Sequence, residues 1–105
     1  MVIPEISPAE AIDLLDADAC FVDIRDPGSF AEARIRGARP LSMQTLEAFL
    51  GQVSRQQPLV VYCYHGHSSR DATSFLLEQG FEDVRSLQGG FEFWRQRFPE
   101  TLDTN

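Results

Sequence analysis

The stretch at residues 58–63, which reads PLVVYC, constrains the fold more than any other part of the chain. Its apolar residues follow one another without the alternation of a strand that has one face in water, so both faces of this strand are expected to be buried. Strands buried on both faces are typical of parallel sheets, in which the connections cross back over the sheet and are usually helical. The chain is therefore predicted to alternate strands with helices.

The remaining segments fit that alternation. Further strands are predicted at residues 2–6, 20–24, 41–43 and 83–87, and helices at residues 29–35, 45–53, 68–79 and 91–98. A short helix is predicted after Ser7, because Pro8 suits the first helical position and Glu10 completes a capping box, and residues 68–71 repeat the capping-box pattern. The pattern predicts a single α/β domain over residues 1–105, a three-layer α/β/α fold whose central sheet is mainly parallel with about five short strands. The tail from about Thr101 is expected to fray.

The charge balance narrows the class of partner. The 105 residues include 16 Asp and Glu against 9 Lys and Arg, which gives a net charge of −7 at pH 7, and all nine cations are arginines. A chain this acidic does not offer the clustered cations that nucleic acids or anionic membranes require, so neither is an expected partner. No apolar stretch approaches the ~20 residues of a membrane span, and residues 1–5 do not resemble a signal peptide. The two cysteines are therefore expected to be reduced thiols in the cytoplasm.

Cys63 is the candidate nucleophile. It is predicted to lie at the carboxyl end of its strand, where ligands bind in parallel α/β sheets, and just before a loop that leads into a helix. The unpaired amides of the first helical turn and the N–H groups of a short loop would stabilise a thiolate there, and Gly66 relieves the strain of a tight loop. The alternative is a buried structural cysteine, the role expected for Cys20 at the start of an apolar strand.

The surroundings of Cys63 favour an anion. Residues 48–70 contain no carboxylate, although the chain has 16, and this segment holds both histidines and Arg70. His65 and His67 alternate along the loop, and alternate residues of a tight loop rarely converge on one ion, so no metal is predicted. Both histidines are expected to be exposed, with backbone N–H groups that matter more than their rings.

The spacing of the arginines separates two kinds of cysteine chemistry. Cysteine phosphatases place an arginine six positions after the nucleophile, so that a phosphate fits between the guanidinium and the loop amides. Here that position is Ser69, and Arg70 is one residue too far along the chain. The loop is therefore predicted to suit something smaller than a phosphate ester, such as a single sulfur atom held on Cys63.

Three charged residues near the site have more than one interpretation. Arg70 lies in the first turn of the helix after the loop, where it guides an incoming anion, pairs with Asp71 or Glu78, or belongs to a solvated helix face. Asp23 and Arg25 are either a charge pair beside the site or a pair at a strand end that fixes the neighbouring loop.

Four motifs, in this order and spacing, resemble those of single-domain rhodaneses, and in particular of the short GlpE-type thiosulfate sulfurtransferases. Residues 22–27 with Phe30 resemble the VDxRxxxxF segment, residues 35–38 the I-x-G-A turn, residues 63–68 (CYHGHS) the six-residue active loop, and residues 87–94 the L-x-G-G-x-x-x-W ending. The matches span residues 3–98. The chain departs from the pattern at residues 33–34, where Gly-His is common, and at His67, where this subgroup more usually has Asn. Tyr64, in place of the Arg of many rhodaneses, fits the subgroup.

The resemblance implies a rhodanese-like fold and a thiosulfate sulfurtransferase. Such an enzyme moves a sulfane sulfur from thiosulfate to an acceptor, namely cyanide, a dithiol or a thioredoxin-like protein, through a persulfide on the catalytic Cys63. Loop N–H groups would hold the outer sulfur, which makes the following residues the expected substrate-binding set: Tyr64, His65, Gly66, His67, Ser68 and, beside them, Arg70. No cofactor is implied, because the cysteine itself carries the sulfur.

Two other functions are weighed against this one. The first is a non-catalytic rhodanese module that carries sulfur or binds another protein, whose signature would be a lost or buried cysteine. The second is a small cysteine phosphatase or an enzyme similar to arsenate reductases, which the position of Arg70 disfavours.

Overall fold

The computed structural model describes residues 2–104, which form seven strands and five α-helices. The strands are β1 (Glu5–Ile6), β2 (Cys20–Asp23), β3 (Ala33–Ile35), β4 (Arg39–Pro40), β5 (Leu59–Tyr62), β6 (Val84–Leu87) and β7 (Leu102–Thr104). The α-helices are α1 (Pro8–Ala11), α2 (Pro27–Glu32), α3 (Leu46–Gln52), α4 (Ser68–Glu78) and α5 (Gly90–Arg97). Two 3₁₀ turns follow α1 and α5, at Ile12–Leu14 and Pro99–Thr101. None of the helices within residues 2–104 is long and apolar enough to cross a bilayer.

Five strands form the central sheet in the order β1-β6-β5-β2-β4, and every pairing in it is parallel. The continuous apolar strand β5 lies in the middle, and all four of its residues are buried, as residues 58–63 predict. Because side chains alternate across a strand, Val60 and Tyr62 join one core and Leu59 and Val61 the other. The predicted α/β class with a mainly parallel sheet of five short strands is confirmed.

The two cores define the outer layers. The first contains apolar residues of α1 and α5, with Trp94 fully buried against Phe21 at a ring distance of 5.7 Å. The second contains apolar residues of α3 and α4, with Phe49 and Leu76 packed on the opposite face. The helices therefore lie on both sides of the sheet, and Cys63 follows β5 at the carboxyl edge, where parallel α/β sheets bind ligands.

The capping box at the start of α1 is confirmed, whereas the one predicted at residues 68–71 is wrong. Ser7 Oγ accepts from the Glu10 amide at 3.1 Å, and the Glu10 carboxylate accepts in return from the Ser7 amide. Ser68 instead lies inside α4, which begins after His67 without any side-chain cap. The Ser69 amide, an orphan donor of this first turn, points to the sulfur of Cys63 instead of to a capping side chain.

Three sequence-based boundaries are corrected by long-range contacts. The helix predicted at residues 29–35 ends at Glu32, because Ala33–Ile35 forms β3 and pairs with β7 in an antiparallel ribbon. The tail from Thr101 does not fray: Thr101 is buried, its hydroxyl accepts from Trp94 Nε1 at 2.8 Å, and β7 follows it. The strand predicted at residues 41–43 is instead Arg39–Pro40, where the chain pairs with β2.

Candidate active site

Cys63 directly follows the central strand β5, and its sulfur takes part in three hydrogen bonds. Its side chain is buried, and Sγ accepts from the Gly66 and Ser69 amides, each at 3.2 Å. Ser69 Oγ lies 3.4 Å from the same sulfur. The loop and the first turn of α4 therefore surround the sulfur atom with polar groups.

These contacts decide the acidity of the thiol. Burial raises the pKa of Cys63, but the hydrogen bonds from the Ser69 hydroxyl, the Ser69 and Gly66 amides and the His65 amide outweigh it. The pKa of the Cys63 thiol therefore lies below its usual value, which favours the nucleophilic thiolate. Cys20 is the opposite case, because burial raises its pKa. It opens β2 opposite Leu59, at the amino edge of the sheet, so the two thiols occupy opposite edges.

The first helical turn of α5 holds the loop after Cys63 so that its amides face Cys63 Sγ. The Phe91 amide donates to Cys63 O at 2.8 Å, and the Glu92 amide donates to Tyr64 O at 3.0 Å. These two bonds hold the loop carbonyls against α5, so that the following N–H groups are free to face Sγ. The approach is so close that a Cβ atom on Gly90 would lie 2.5 Å from Tyr64 O, and Gly90 has a left-handed φ of +62°.

A pair of buried serines lies behind the sulfur. Ser69 Oγ and Ser86 Oγ are 2.7 Å apart, and both side chains are fully buried. Ser86 belongs to β6 and faces α4, on the same side of the sheet as Val84. In the sequence, Ser69 stands out as the place of a missing arginine and as part of a capping-box pattern, and Ser86 gives no signal.

The Tyr64 side chain points away from Cys63 and toward α2. Its hydroxyl donates to Asp26 and lies 3.0 Å from Ser29 Oγ. This hydrogen bond, together with those from the Ser29 amide and hydroxyl, lowers the pKa of Asp26 to about 2. Asp26 also caps α2 through the Ser29 amide at 2.9 Å. Tyr64 therefore ties the loop to the start of α2.

Asp23 and Arg25 form the pair at a strand end that was one of their two interpretations. The guanidinium of Arg25 binds both carboxylate oxygens of Asp23, with a shortest distance of 2.6 Å, and it also donates to Ala33 O. Both side chains are buried, and the guanidinium carbon lies 3.9 Å from the ring centroid of Phe91. The pair thus connects β2 to β3 and to the helix that holds the active loop.

The other predicted site residues lie on the surface around Cys63. Those that are exposed are His65, His67, Ser68 and Arg70, whereas Gly66 is half-buried. The expected exposure of both histidines is confirmed. Arg70 forms no ion pair within residues 2–104. In the same part of the chain no group of three or more His, Cys, Asp or Glu side chains is arranged to hold a metal ion.

Comparisons with known proteins agree with this architecture. The rhodanese-like domain family matches residues 7–97. Among curated relatives, the protein called thiosulfate sulfurtransferase GlpE in Stutzerimonas stutzeri is 46% identical over 93% of this chain and 90% of its own length. The protein of the same name in Ectopseudomonas mendocina is 49% identical over 90% of this chain and 86% of its own length.

A solved structure supports the fold independently of sequence. The solution structure of a rhodanese-like domain from an Anabaena protein matches 99% of this chain and 81% of its own, with a TM-score of 0.86 at 19% identity. The family model over residues 7–97 and the two curated relatives confirm the family inferred from the four sequence motifs. The chain belongs to the rhodanese-like domain family.

Proposed function

We propose that this protein is a thiosulfate sulfurtransferase in which Cys63 is the nucleophile. The observation that supports this most is the convergence of the Gly66 amide, the Ser69 amide and the Ser69 hydroxyl on Cys63 Sγ. Such donors favour a thiolate at a strand end where parallel α/β sheets bind ligands. The relatives named thiosulfate sulfurtransferase suggest the donor substrate.

The proposed reaction has two displacements on sulfur. In the first, the Cys63 thiolate attacks the outer sulfur of thiosulfate. A new S–S bond forms, the S–S bond of thiosulfate breaks, and sulfite leaves with the electron pair. In the second, an acceptor nucleophile attacks the outer sulfur of the Cys63 persulfide, and the thiolate leaves in its original form. Dividing one transfer into two steps is the advantage that a covalent nucleophile gives.

The active loop supplies the electrostatics of both steps. The outer sulfur of the persulfide carries negative charge, and the N–H groups from Tyr64 to Ser68 are proposed to hold it. Residues 48–70 bring no carboxylate near this anion, although the chain has a net charge of −7. Arg70 is exposed in the first turn of α4 and is proposed to assist the arrival of thiosulfate.

The acceptor is proposed to be cyanide, a dithiol or a thioredoxin-like protein, because each is a nucleophile able to take a sulfane sulfur. No cofactor and no metal enter either step. Both cysteines are free thiols, which fits a reducing compartment such as the cytoplasm.

The position of Ser69 disfavours the phosphatase alternative. A phosphatase needs a guanidinium six positions after its cysteine. Here that residue is a fully buried serine, and its hydroxyl and its amide both form hydrogen bonds with Cys63 Sγ. Cys63 is buried, which is one signature of the non-catalytic alternative. The cysteine is nevertheless present, and two amides donate to its sulfur, which favours the enzyme.

A steady-state assay of thiosulfate:cyanide sulfur transfer tests the proposal. We expect turnover in the wild type, loss of turnover in Cys63→Ser, and near wild-type turnover in Cys20→Ser, the matched control at the opposite edge of the sheet. With p-nitrophenyl phosphate we expect no turnover above background. Phosphatase turnover that disappears in Cys63→Ser would favour the phosphatase alternative, and sulfur transfer that survives in Cys63→Ser would refute the assignment of the nucleophile.

A further inference from the structure

The two buried hydroxyls behind Cys63 form a chain that ends on its sulfur. Ser86 Oγ lies 2.7 Å from Ser69 Oγ, and Ser69 Oγ lies 3.4 Å from Cys63 Sγ. The serines come from different elements, β6 and the first turn of α4, and neither side chain is exposed to solvent. Within residues 2–104, Ser86 Oγ has Ser69 Oγ as its one hydrogen-bond partner.

The number of protons shared by Cys63, Ser69 and Ser86 shows whether these hydrogen bonds fit a thiol or a thiolate. The three groups are joined by two links, and each link uses one proton. If Cys63 is a thiol, its S–H donates to Ser69 Oγ. The three groups then carry three protons for two hydrogen bonds, so one O–H proton lacks an acceptor among them. If Cys63 is a thiolate, there are two protons for two links: Ser86 donates to Ser69, and Ser69 donates to the sulfur. A buried polar proton without an acceptor costs free energy, so this series of hydrogen bonds favours the deprotonated sulfur.

We propose that Ser69 and Ser86 are positioning residues for the sulfur-transfer reaction, and that together they hold Cys63 without a proton. Ser69 contacts the sulfur directly, whereas Ser86 acts through Ser69 by fixing the direction of its hydroxyl. The same count holds after the first displacement, because the inner sulfur of a persulfide also lacks a proton. This inference rests on the proposed function for its place in the cycle, but the state of the thiol is testable without any sulfur donor.

The charged groups around Cys63 do not make these hydrogen bonds. The elements packed around it carry the following titratable and charged side chains: Tyr62 of β5, Tyr64, His65 and His67 of the loop, Arg70, Asp71 and Glu78 of α4, Arg85 of β6, Glu92, Arg95 and Arg97 of α5, and the Asp23–Arg25 pair at the end of β2. The groups that lower the pKa of Cys63 are the Ser69 hydroxyl and the amides of Ser69, Gly66 and His65. Ser69→Ala removes the hydroxyl and leaves all three amides in place.

Thr73 provides the matched control. It lies one turn further along α4, is also fully buried, and its hydroxyl donates to Ser69 O at 2.7 Å. Thr73→Val thus removes a buried hydroxyl from the same helix without removing a donor from the sulfur or from Ser69 Oγ. If the two serines had only a structural role, Thr73→Val would change the reactivity of Cys63 as much as Ser69→Ala and Ser86→Ala do.

The experiment measures the rate of iodoacetamide alkylation of Cys63 against pH, resolved from that of Cys20 by peptide mass spectrometry. Below the inflection the rate follows the thiolate fraction. There we expect a fall of about tenfold in Ser69→Ala, since a hydrogen bond to a charged group is lost. In Ser86→Ala we expect the rate to fall by about threefold, since the Ser69 hydroxyl loses the hydrogen bond that strengthens its own bond to the sulfur. The inflection moves to higher pH in both, the limiting rate at high pH stays within about twofold, and Thr73→Val matches the wild type.

Either serine variant suffices if the other does not fold, which thermal unfolding checks. An unchanged rate below the inflection in Ser69→Ala or Ser86→Ala would overturn the inference, and so would equal losses in Thr73→Val. Because alkylation needs no thiosulfate, a protein that shows these shifts but transfers no sulfur would refute the proposed function and leave the serine pair standing.

Discussion

The amide of Phe91 donates to the carbonyl oxygen of Cys63 at 2.8 Å, so the residue proposed as the nucleophile is held by the first turn of α5. The neighbouring Glu92 amide holds Tyr64 O in the same way. The pair Gly89-Gly90 makes this contact possible, because both residues have a left-handed φ and Gly90 lies against the backbone of Tyr64. A glycine motif 26 and 27 positions after the cysteine thus supports the candidate active site.

Gly90→Ala is expected to damage both stability and reactivity. Its Cβ would lie 2.5 Å from Tyr64 O, and the left-handed φ adds backbone strain, so we expect a loss of more than about 1 kcal/mol in the free energy of unfolding. The displaced loop would also slow alkylation of Cys63 below pH 8. Gly51→Ala in α3 is the control, since nothing lies within 4 Å of its Cβ, and it is expected to stabilise by about 0.5–1 kcal/mol. Urea denaturation measures both, and a Gly90→Ala protein as stable as the wild type would contradict the close approach.

Much of the fold is predictable from the sequence where the signal is local. The continuous apolar run of β5 and the Ser7–Glu10 capping box are patterns within a few residues, and both predictions are confirmed. The errors occur where distant pairing decides. Nothing within residues 33–35 indicates a strand, because β3 exists only through its pairing with β7, which lies almost 70 positions later. The Trp94–Thr101 hydrogen bond, which orders the predicted tail, is equally invisible before the helix is placed.

Tyr64→Phe is expected to raise the pKa of Asp26 from about 2 toward its ordinary value, because the hydrogen bond from Tyr64 is the main cause of the low value. A carboxyl group with a lowered pKa in the folded state stabilises the protein above its unfolded pKa of ~3.9, and the contribution disappears as the pH falls toward 2. We therefore expect the variant to lose stability at pH 5 but to approach the wild type near pH 2.

Carboxyl-detected NMR titration measures the change at Asp26 directly. Asp16, whose pKa is lowered by its own hydrogen bond to Arg36, serves as the internal control and should titrate unchanged. An Asp26 titration that is the same in both proteins would contradict the role assigned to the Tyr64 hydroxyl.

Arg25→Met is expected to cost about 3–5 kcal/mol of unfolding free energy, because it leaves the Asp23 carboxylate buried without its partner. Arg25→Lys should recover little of this, since one ammonium group cannot bind both carboxylate oxygens and Ala33 O. Arg36→Met is the matched control: it breaks an exposed pair with Asp16 and should cost less than about 1 kcal/mol. Equal losses at the two arginines, measured by urea denaturation, would show that the buried pair has no special role.

Arg70→Ala is expected to raise the KM for thiosulfate by about threefold at low salt, with kcat nearly unchanged. Its guanidinium is exposed near the loop and forms no ion pair within residues 2–104, so it is available to an incoming dianion. Added salt should shrink the effect by screening. Arg97→Ala removes the same charge from the last turn of α5, at the end away from the loop, and should leave KM unchanged. A KM in Arg70→Ala equal to that of the wild type at low salt would return Arg70 to the solvated helix face.

As with the fold, local patterns in the sequence predict one part of the candidate site, and long-range strand pairing determines the other part. Cys63 and its loop are identifiable because strand, cysteine, glycine and helix follow one another in the chain. Ser86 gives no signal in its own segment, since a serine in a short strand is unremarkable until β6 is placed beside β5 and its hydroxyl meets Ser69. Residues that meet across the sheet can be predicted only when the pairing register of the strands is known, and a single sequence does not give that register.

The central claim is that Cys63 accepts a sulfur atom from thiosulfate, and intact-mass spectrometry tests it most directly. After incubation with thiosulfate, the protein should gain the mass of one sulfur atom, and cyanide should remove it. The gain should be absent in Cys63→Ser and present in Cys20→Ser. A gain that persists in Cys63→Ser, or that disappears in Cys20→Ser, would contradict the account.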